Sequence, residues 1–254
     1  MLKLSGVSKS YGSGVKAVDK LDLHVRPGEI FGFLGPNGAG KTTTIKMVVG
    51  ILRPDEGRIE IGGVDLAQDP MRAKFMTGYL PDEAELWDKL TGIEYLNFMA
   101  DVYGVSLEDR RTRAMTLLET FEMTKAVSDP IGSYSRGMRQ KIALIGSLLH
   151  RPKFWVLDEP MMGLDPRSSF VLKELMRAHV REGGSVFFST HVMEVAERLC
   201  DRVGIINKGK LIAVGTVEEI RALFSQEGDK TLEEVFLKVT EAKLPEDQLA
   251  SLAK

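Results

Sequence analysis

The 254-residue sequence predicts an α/β fold with a mostly parallel sheet. Short apolar runs alternate with helical stretches through most of the chain, which is typical of that class. The runs at 30–34, 154–157 and 185–189 are largely apolar without alternation, as central strands buried on both faces are. Apolar residues make up 43% of the chain and charged residues 28%, so the collagen-like and disordered classes are excluded.

The N-terminal part of the chain follows a different pattern. Residues 20–26 and 58–61 alternate strictly between polar and apolar side chains, which predicts half-buried antiparallel strands. Near the other end, residues 203–206 and 210–214 flank a short turn-like segment, which indicates a hairpin. We therefore expect a small N-terminal antiparallel β subdomain beside the parallel sheet.

Residues 91–150 are almost wholly helical in pattern and interrupt the alternation of strands and helices. Thr91 and Glu94 have the spacing of a capping box, so we expect a helix to begin there. These patterns predict one domain over residues 1–225 with an inserted helical subdomain, followed by a short helical tail over 226–254.

Charge and composition narrow the classes of partner. The chain has 34 Lys and Arg against 36 Asp and Glu, a net charge of −2, so we expect no nucleic-acid partner. Its single cysteine, Cys200, excludes an internal disulfide and a multi-cysteine zinc site. The longest mostly apolar stretches, 47–52 and 142–149, are far shorter than the roughly 20 residues of a membrane helix. With no signal-like apolar core near the start, the expected location is intracellular.

The strongest local signal is a match to G-x-x-x-x-G-K-[ST], placed between the apolar run 30–34 and a helical stretch at 43–49. Its glycines let backbone N–H groups turn toward phosphates, and the start of the following helix adds a favourable dipole. Lys41 can reach the β- and γ-phosphates, and the Thr42 hydroxyl can ligate Mg²⁺. The residues predicted to bind the nucleotide here are Gly35, Pro36, Asn37, Gly38, Ala39, Gly40, Lys41, Thr42 and Thr43.

A second signal is the pair of acids Asp158 and Glu159, which follow the apolar run 154–157. Ligands of open α/β sheets bind at the carboxyl ends of the strands. We expect Asp158 to hold Mg²⁺ and Glu159 to polarise the water that attacks the γ-phosphate. Taken alone, the pair is equally well explained as a solvated strand end.

One motif match is rejected as a nucleotide site. Residues 12–17 fit the dinucleotide pattern G-x-G-x-x-A, but an alternating strand follows instead of a helix. We interpret this segment as a flexible loop. Hydrolase and zinc-protease patterns are absent from the sequence, so triad and zinc chemistry are not expected.

The order of these motifs resembles that of the ATP-binding cassette (ABC) ATPases, and the likeness runs from about residue 2 to residue 214. Tyr11 stands where the family has an aromatic that stacks on adenine. Residues 134–138, Tyr-Ser-Arg-Gly-Met, stand at the family signature LSGGQ. Residues 163–166 look like the D-loop, and residues 189–191 look like the segment that carries the switch histidine, His191.

The resemblance implies a P-loop NTPase (RecA-like) core over 1–225 that binds ATP and Mg²⁺. It assigns catalysis to Lys41, Glu159 and His191, and contacts with ATP across a dimer to Ser135, Gly137 and the D-loop residue Asp165. It also implies a second ABC subunit and a separate integral membrane permease. The form of the signature, Asp82 and the tail segment 231–236 are similar to the exporter-type ABC-2 branch, which places such a subunit peripherally on the cytoplasmic face of the membrane.

Three positions depart from the family pattern. Arg136 and Met138 replace a glycine and a glutamine of the signature, and Asp82 stands where many members have a glutamine. Asp82 can still ligate Mg²⁺, but an ionised carboxylate donates no hydrogen bond to an attacking water. An alternative interpretation of Tyr11 is an ordinary surface aromatic. An alternative interpretation of His191 is a solvated histidine.

The resemblance leaves two further questions open. We expect Leu86, Trp87 and Leu90 to line a groove for a cytoplasmic helix of the membrane subunit, with ordinary core packing as the alternative. A soluble ABC-type ATPase uncoupled from transport is the alternative function. It is disfavoured because no long coiled-coil insertion fits between Gly50 and Ser135.

Overall fold

Two β-sheets flanked by helices make up the part of the chain that a computed structural model describes, residues 1–12, 14–224 and 231–239. In chain order the strands are β1 (Leu2–Tyr11), β2 (Val15–Val25), β3 (Ile30–Leu34), β4 (Glu56–Ile61), β5 (Val64–Asp65), β6 (Thr77–Leu80), β7 (Phe154–Leu157), β8 (Ser185–Thr190), β9 (Arg202–Asn207) and β10 (Lys210–Gly215). The α-helices are α1 (Lys41–Val48), α2 (Pro70–Phe75), α3 (Gly92–Val102), α4 (Leu107–Thr120), α5 (Arg136–Leu148), α6 (Pro166–Arg181), α7 (Met193–Leu199), α8 (Val217–Phe224) and α9 (Leu232–Val239).

The first sheet is antiparallel and has the strand order β2-β1-β4-β5. Alternate residues of β2, among them Leu21, Leu23 and Val25, are buried, as the sequence alternation predicts. The loop predicted over residues 12–17 is wrong for its second half. Val15, Lys16 and Ala17 belong to β2, and Val15 and Lys16 pair with Tyr11 and Ser10 of β1. Register shifts along this strand pair interrupt the alternation of polar and apolar residues that would indicate a strand.

The second sheet has the order β10-β9-β3-β8-β7-β6 and is parallel except for the hairpin between β9 and β10. Every residue of β3, β7 and β8 is buried, which confirms these runs as central strands. Because the strands run parallel, the carboxyl ends of β3, β6, β7 and β8 meet at one edge of the sheet. This edge holds the residues with predicted chemistry.

The helices between β6 and β7 account for the predicted helical insertion. The Thr91 hydroxyl caps the Glu94 N–H, and the Glu94 carboxylate accepts from the Thr91 N–H, so the predicted capping box is present. Helices α3, α4 and α5 pack around a buried cluster that extends to β7 and α6. The boundary predicted near residue 225 stays a prediction.

Part of the predicted tail packs against the domain. Leu232, Val235 and Phe236 of α9 are buried in one cluster with residues of α7, α8 and β9. The Glu197 carboxylate accepts hydrogen bonds from the Leu232 N–H and from Arg221. The rest of the segment 226–254 lies outside the described residues. Within the described ranges, no helix combines the length and hydrophobicity that a membrane span requires.

His150, at the end of α5, makes the stability of the fold depend on pH. Its ring stacks on Tyr103 with centroids 3.7 Å apart, and its Nε2 lies 3.2 Å from the Thr77 carbonyl oxygen. Burial lowers the pKa of His150 from 6.5 to about 4. The folded state therefore favours the neutral ring, and this contribution is complete above pH 6.5 and is lost as the pH falls toward 4.

We expect the free energy of unfolding to fall by about 2 kcal/mol between pH 6.5 and pH 4.5 through this residue. His150→Phe keeps a stacked ring without a titrating group, so urea unfolding across this range should show a shallower pH dependence. His179, whose pKa is also lowered by burial, contributes equally to the pH dependence of stability in the wild type and in His150→Phe. An unchanged slope in the variant would contradict the assignment to His150.

Candidate functional site

A cavity of about 470 Å³ opens at the carboxyl edge of the parallel sheet. It brings together the loop after β3, the start of α1, and the residues that follow β6, β7 and β8. Its lining residues are Ala17, Pro36, Asn37, Gly38, Gly40, Lys41, Thr42, Thr43, Asp82, Glu159, Met162 and His191. Most of them were predicted from the sequence, whereas Ala17 and Met162 carry no chemical signal.

The loop between β3 and α1 has the backbone that its glycines predict. Gly38 and Gly40 have φ angles of +78° and +108°, which favour glycine. A Cβ on Gly40 would lie 2.4 Å from the Ala17 carbonyl oxygen, and one on Gly35 would lie 2.5 Å from the Ile206 carbonyl oxygen. Helix α1 has no side-chain cap at Gly40, so its first N–H groups are available to an anion in the cavity.

Lys41 is buried at the first position of α1, with 6% of its surface exposed. Its Nζ donates to the Gly35 carbonyl oxygen at 2.8 Å and lies 3.3 Å from Glu159 Oε1. A charged ammonium is thus held at the cavity wall between the loop and an acidic residue. That position suits a contact with phosphate oxygens.

Asp158 is 1% exposed at the end of β7. Its Oδ1 accepts a 2.5 Å hydrogen bond from Ser189 Oγ, and its buried Oδ2 has no hydrogen-bond partner in the described ranges. Burial raises the pKa of Asp158, while the hydrogen bond from Ser189 and the nearby Thr42 hydroxyl oppose the shift. A buried carboxylate oxygen without a partner, next to the Thr42 hydroxyl, fits a divalent cation such as Mg²⁺.

Glu159 adopts an unusual backbone conformation, with a φ of +45° and 8% of its surface exposed. Its Oε2 lies 3.0 Å from His191 Nδ1, and its backbone N–H donates to Ser189 Oγ at 2.9 Å. The carboxylate therefore bridges Lys41 and His191 at the cavity wall. His191, which follows β8, keeps 46% of its side chain exposed.

Asp82 faces the same cavity from the segment after β6. Its Oδ1 is buried and accepts no hydrogen bond from any residue that the structure describes. Burial raises the pKa of Asp82, and the charges of Asp158 and Glu159 raise it further. The Asp82 and Glu159 carboxylates thus line one cavity, and the charge of Asp158 acts on them from beside it, an arrangement that a bound cation would stabilise.

Gly35, Ala39 and Asp158 are adjacent in sequence to lining residues but do not line the cavity themselves. The predicted residues Tyr11, Ser135, Gly137 and Asp165 also lie outside the lining. Tyr11 is 47% exposed at the end of β1. Ser135 caps α5, and a Cβ on Gly137 would lie 2.8 Å from the Gly163 carbonyl oxygen. The signature segment and the D-loop are therefore in close contact with each other.

Asp165 anchors this second group. It caps α6 through the Ser168 N–H, and its Oδ2 lies 3.0 Å from Lys141 Nζ on α5. Hydrogen bonds from the Ser168 backbone and hydroxyl, together with the Lys141 ammonium, hold the pKa of Asp165 well below its usual range. Apart from Tyr11, the predicted site residues thus form two groups, one at the cavity and one formed by the signature segment and the D-loop.

Ser189 is the functional residue that sequence reasoning missed. The sequence places it only in the segment that carries His191, yet it contacts both Asp158 and Glu159. The available signal was a polar ending, Ser189 and Thr190, on an otherwise apolar strand. A hydroxyl at the carboxyl end of a buried strand needs a hydrogen-bond partner nearby.

Comparison with known proteins finds matches to ATP-binding proteins of ABC transporters. Residues 18–162 match the family described as ABC transporter. The linearmycin resistance ATP-binding protein LnrL of Bacillus subtilis (strain 168) is 37% identical over 220 residues, which are 87% of this chain and 70% of LnrL.

Solved structures have the same fold. One described as the ATP-binding subunit of an ABC transporter matches with a TM-score of 0.89 at 33% identity, over 94% of this chain and 99% of that one. The ATP-binding cassette MJ0796, in a dimeric post-hydrolysis state bound to ADP and Pi, matches with a TM-score of 0.78 at 24% identity, over 85% of this chain and 98% of that one.

Proposed function

The chain belongs to the ABC transporter family and is an ATP-binding ATPase of that family, and from this premise we propose that it drives export through a separate membrane subunit. The observation that carries the ATP-dependent dimerisation in this proposal is the grouping of its site residues. Lys41, Glu159 and His191 surround one cavity, whereas Ser135 and Asp165 belong to a second group outside it.

Hydrolysis takes place in the cavity. The N–H groups at the start of α1 and the Lys41 ammonium bind the β- and γ-phosphates, and Lys41 exchanges its ion pair with Glu159 for these oxygens. Glu159 then accepts a proton from the water that attacks the γ-phosphate, and His191 holds the Glu159 carboxylate in place.

Thr42, Asp158 and Asp82 are the residues that would hold Mg²⁺. The buried Asp158 Oδ2, which lacks a hydrogen-bond partner among the described atoms, supports this assignment. When bound, Mg²⁺ neutralises charge on the phosphate oxygens. The Asp158 carboxylate contributes negative charge at a fixed position, because Ser189 orients it.

Two copies of the chain, or this chain and a related one, complete the site. Ser135, Gly137 and Asp165 bind the nucleotide held in the cavity of the partner, and Tyr11 stacks on the adenine in its own subunit. The dimeric cassette MJ0796 with bound ADP and Pi is consistent with this arrangement. ATP thereby links two subunits, and its hydrolysis releases them.

The membrane subunit docks on an apolar surface formed by α2, α3 and the segment before α3. We call it the α2–α3 surface; its exposed residues are Met71, Phe75, Trp87, Phe98 and Val102. The Trp87 and Phe98 rings meet edge to face with centroids 5.1 Å apart. Exposed apolar patches of this kind mark interaction sites.

The groove predicted from Leu86, Trp87 and Leu90 needs a correction. Leu86 and Leu90 are partly buried and pack against the core around α3 and α5, as the alternative interpretation held. Of the three, Trp87 is the exposed one, with 56% of its surface accessible. The name of LnrL, a resistance protein, favours export as the direction of transport. Docking on a permease would place this chain peripherally at the cytoplasmic face of the membrane. The proposed function involves no nucleic acid.

The double variant Trp87→Ala/Phe98→Ala tests the membrane coupling. We expect the amount of polytopic membrane protein that co-purifies with a tagged chain to fall about tenfold, because buried aromatic anchors dominate interface energies. Basal ATP hydrolysis by the purified chain should not change. Phe170→Ala on α6, which removes another exposed aromatic, is the control.

Undiminished co-purification of the membrane protein with the double variant would remove the α2–α3 surface from this role. If the wild-type chain recovers no polytopic protein from membranes at all, the soluble ATPase uncoupled from transport becomes the better description.

A further inference from the structure

We propose that Ser189 is a positioning residue that orients both acidic residues of the site through one buried hydroxyl. The proposal rests on the roles proposed above for Asp158 and Glu159. It adds to these two acids a residue, Ser189, that acts on the reaction through them without touching the nucleotide.

The geometry places the Ser189 hydroxyl between the two acids. Ser189 lies near the carboxyl end of β8, beside β7, and is 0% exposed. Its Oγ donates to Asp158 Oδ1 at 2.5 Å and accepts from the Glu159 N–H at 2.9 Å. A hydroxyl carries one donor hydrogen, which is directed at Asp158, while one of its lone pairs receives the Glu159 N–H.

The bond to Asp158 determines which carboxylate oxygen is free. With Oδ1 occupied by Ser189, the carboxylate cannot rotate without losing a buried hydrogen bond. Its other oxygen, Oδ2, is the buried atom that lacks a hydrogen-bond partner within the described ranges. Ser189 thus leaves one oxygen of Asp158 for a cation, in a fixed direction.

The bond to Glu159 supports a strained backbone. A φ of +45° is strained for a non-glycine residue, and the hydrogen bond from the Glu159 N–H to Ser189 offsets part of that strain. This backbone conformation directs the Glu159 carboxylate toward Lys41 and His191. Loss of the hydroxyl leaves the buried N–H unpaired, so the backbone can relax and the carboxylate shifts.

Ser189→Ala is the test, and Ser185→Ala is its matched control. Ser185 is on the same strand, is equally buried, and also accepts one backbone hydrogen bond, from the Gly28 N–H at 2.8 Å, at the opposite end of the strand. Both variants lose one buried hydroxyl, but only the first loses contacts with the acids. Ser189→Thr, which retains the hydroxyl, tests rescue.

We expect Ser189→Ala to lower kcat for ATP hydrolysis by roughly 10–100-fold, as loss of an orienting partner of a metal ligand typically does. Fluorescence of mant-ATP gives a readout that does not depend on turnover. Binding in EDTA should match wild type, whereas the Mg²⁺ concentration that half-saturates the Mg²⁺-dependent change should rise about tenfold. Ser185→Ala should leave kcat and the Mg²⁺ dependence at wild-type values, and Ser189→Thr should recover much of both.

A wild-type kcat and Mg²⁺ dependence in Ser189→Ala would overturn the proposal, and so would equal losses in Ser189→Ala and Ser185→Ala. Glu159→Gln separates this outcome from a failure of the proposed function. If Glu159→Gln is inactive while Ser189→Ala is unaffected, only the role of Ser189 is lost. If Glu159→Gln hydrolyses ATP normally, the proposed mechanism itself fails.

Discussion

Replacing Glu159 with Gln should lower ATP turnover by about 10²–10⁴-fold, the usual contribution of a general base. The amide has nearly the shape of the carboxylate, and its oxygen can still accept a hydrogen bond from Lys41 or His191, which lie 3.3 and 3.0 Å from the carboxylate oxygens. It cannot take a proton from water at neutral pH. The loss should therefore fall on kcat, while the affinity for ATP stays the same or rises.

The same variant should accumulate as an ATP-bound dimer. Gel filtration with Mg²⁺ and ATP should give an elution volume expected for two chains, and ADP should return the monomer. Glu29→Gln is the control, because Glu29 is also a buried acid, 6% exposed, paired with Arg202 at the other end of the sheet. Turnover of Glu159→Gln within a fewfold of wild type would exclude Glu159 as the base.

Gly40→Ala should abolish nucleotide binding. The added Cβ would lie 2.4 Å from the Ala17 carbonyl oxygen, and the φ of +108° is strained for alanine. Steric overlap and backbone strain each cost roughly 1–3 kcal/mol, so we expect the free energy of unfolding to drop by about 2–6 kcal/mol. Because the loop has to move to relieve the overlap, the affinity for mant-ATP should fall at least about 100-fold.

Gly183→Ala separates strain from steric overlap. Gly183 follows α6 and has a φ of +90°, and no heavy atom of the described residues lies within 4 Å of an added Cβ. This control should lose about 1 kcal/mol of stability and keep its affinity for mant-ATP. Near-wild-type nucleotide affinity in Gly40→Ala, measured on folded protein, would show that the loop adapts and that its backbone is not the phosphate site.

Local patterns in the sequence predicted much of the cavity. The spacing of Gly35, Gly40 and Lys41, and the placement of Asp158 and Glu159 after an apolar run, depend on neighbouring residues only. A phosphate-binding loop joins one strand directly to one helix, so its residues are adjacent in the chain. The capping box at Thr91 is readable for the same reason.

Other features depend on contacts between distant segments. Val15 became a strand residue because β1 pairs with it, and Leu86 and Leu90 became core residues because α3 and α5 pack nearby. Neither result follows from the residue types. The α2–α3 surface was likewise unpredictable, because its aromatic residues come from three segments that only folding brings together.

The sequence by itself determined the α/β class and predicted the phosphate loop and the acidic pair, because these follow from residue spacing along a short stretch of chain. Tertiary structure alone decided that Ser189 holds both acids, through a hydrogen bond across 31 residues to Asp158, and that Ser135 and Asp165 stand outside the cavity. The physical reason is that a hydrogen bond requires two atoms to lie within about 3 Å. For residues on different strands, the register of the sheet sets that distance.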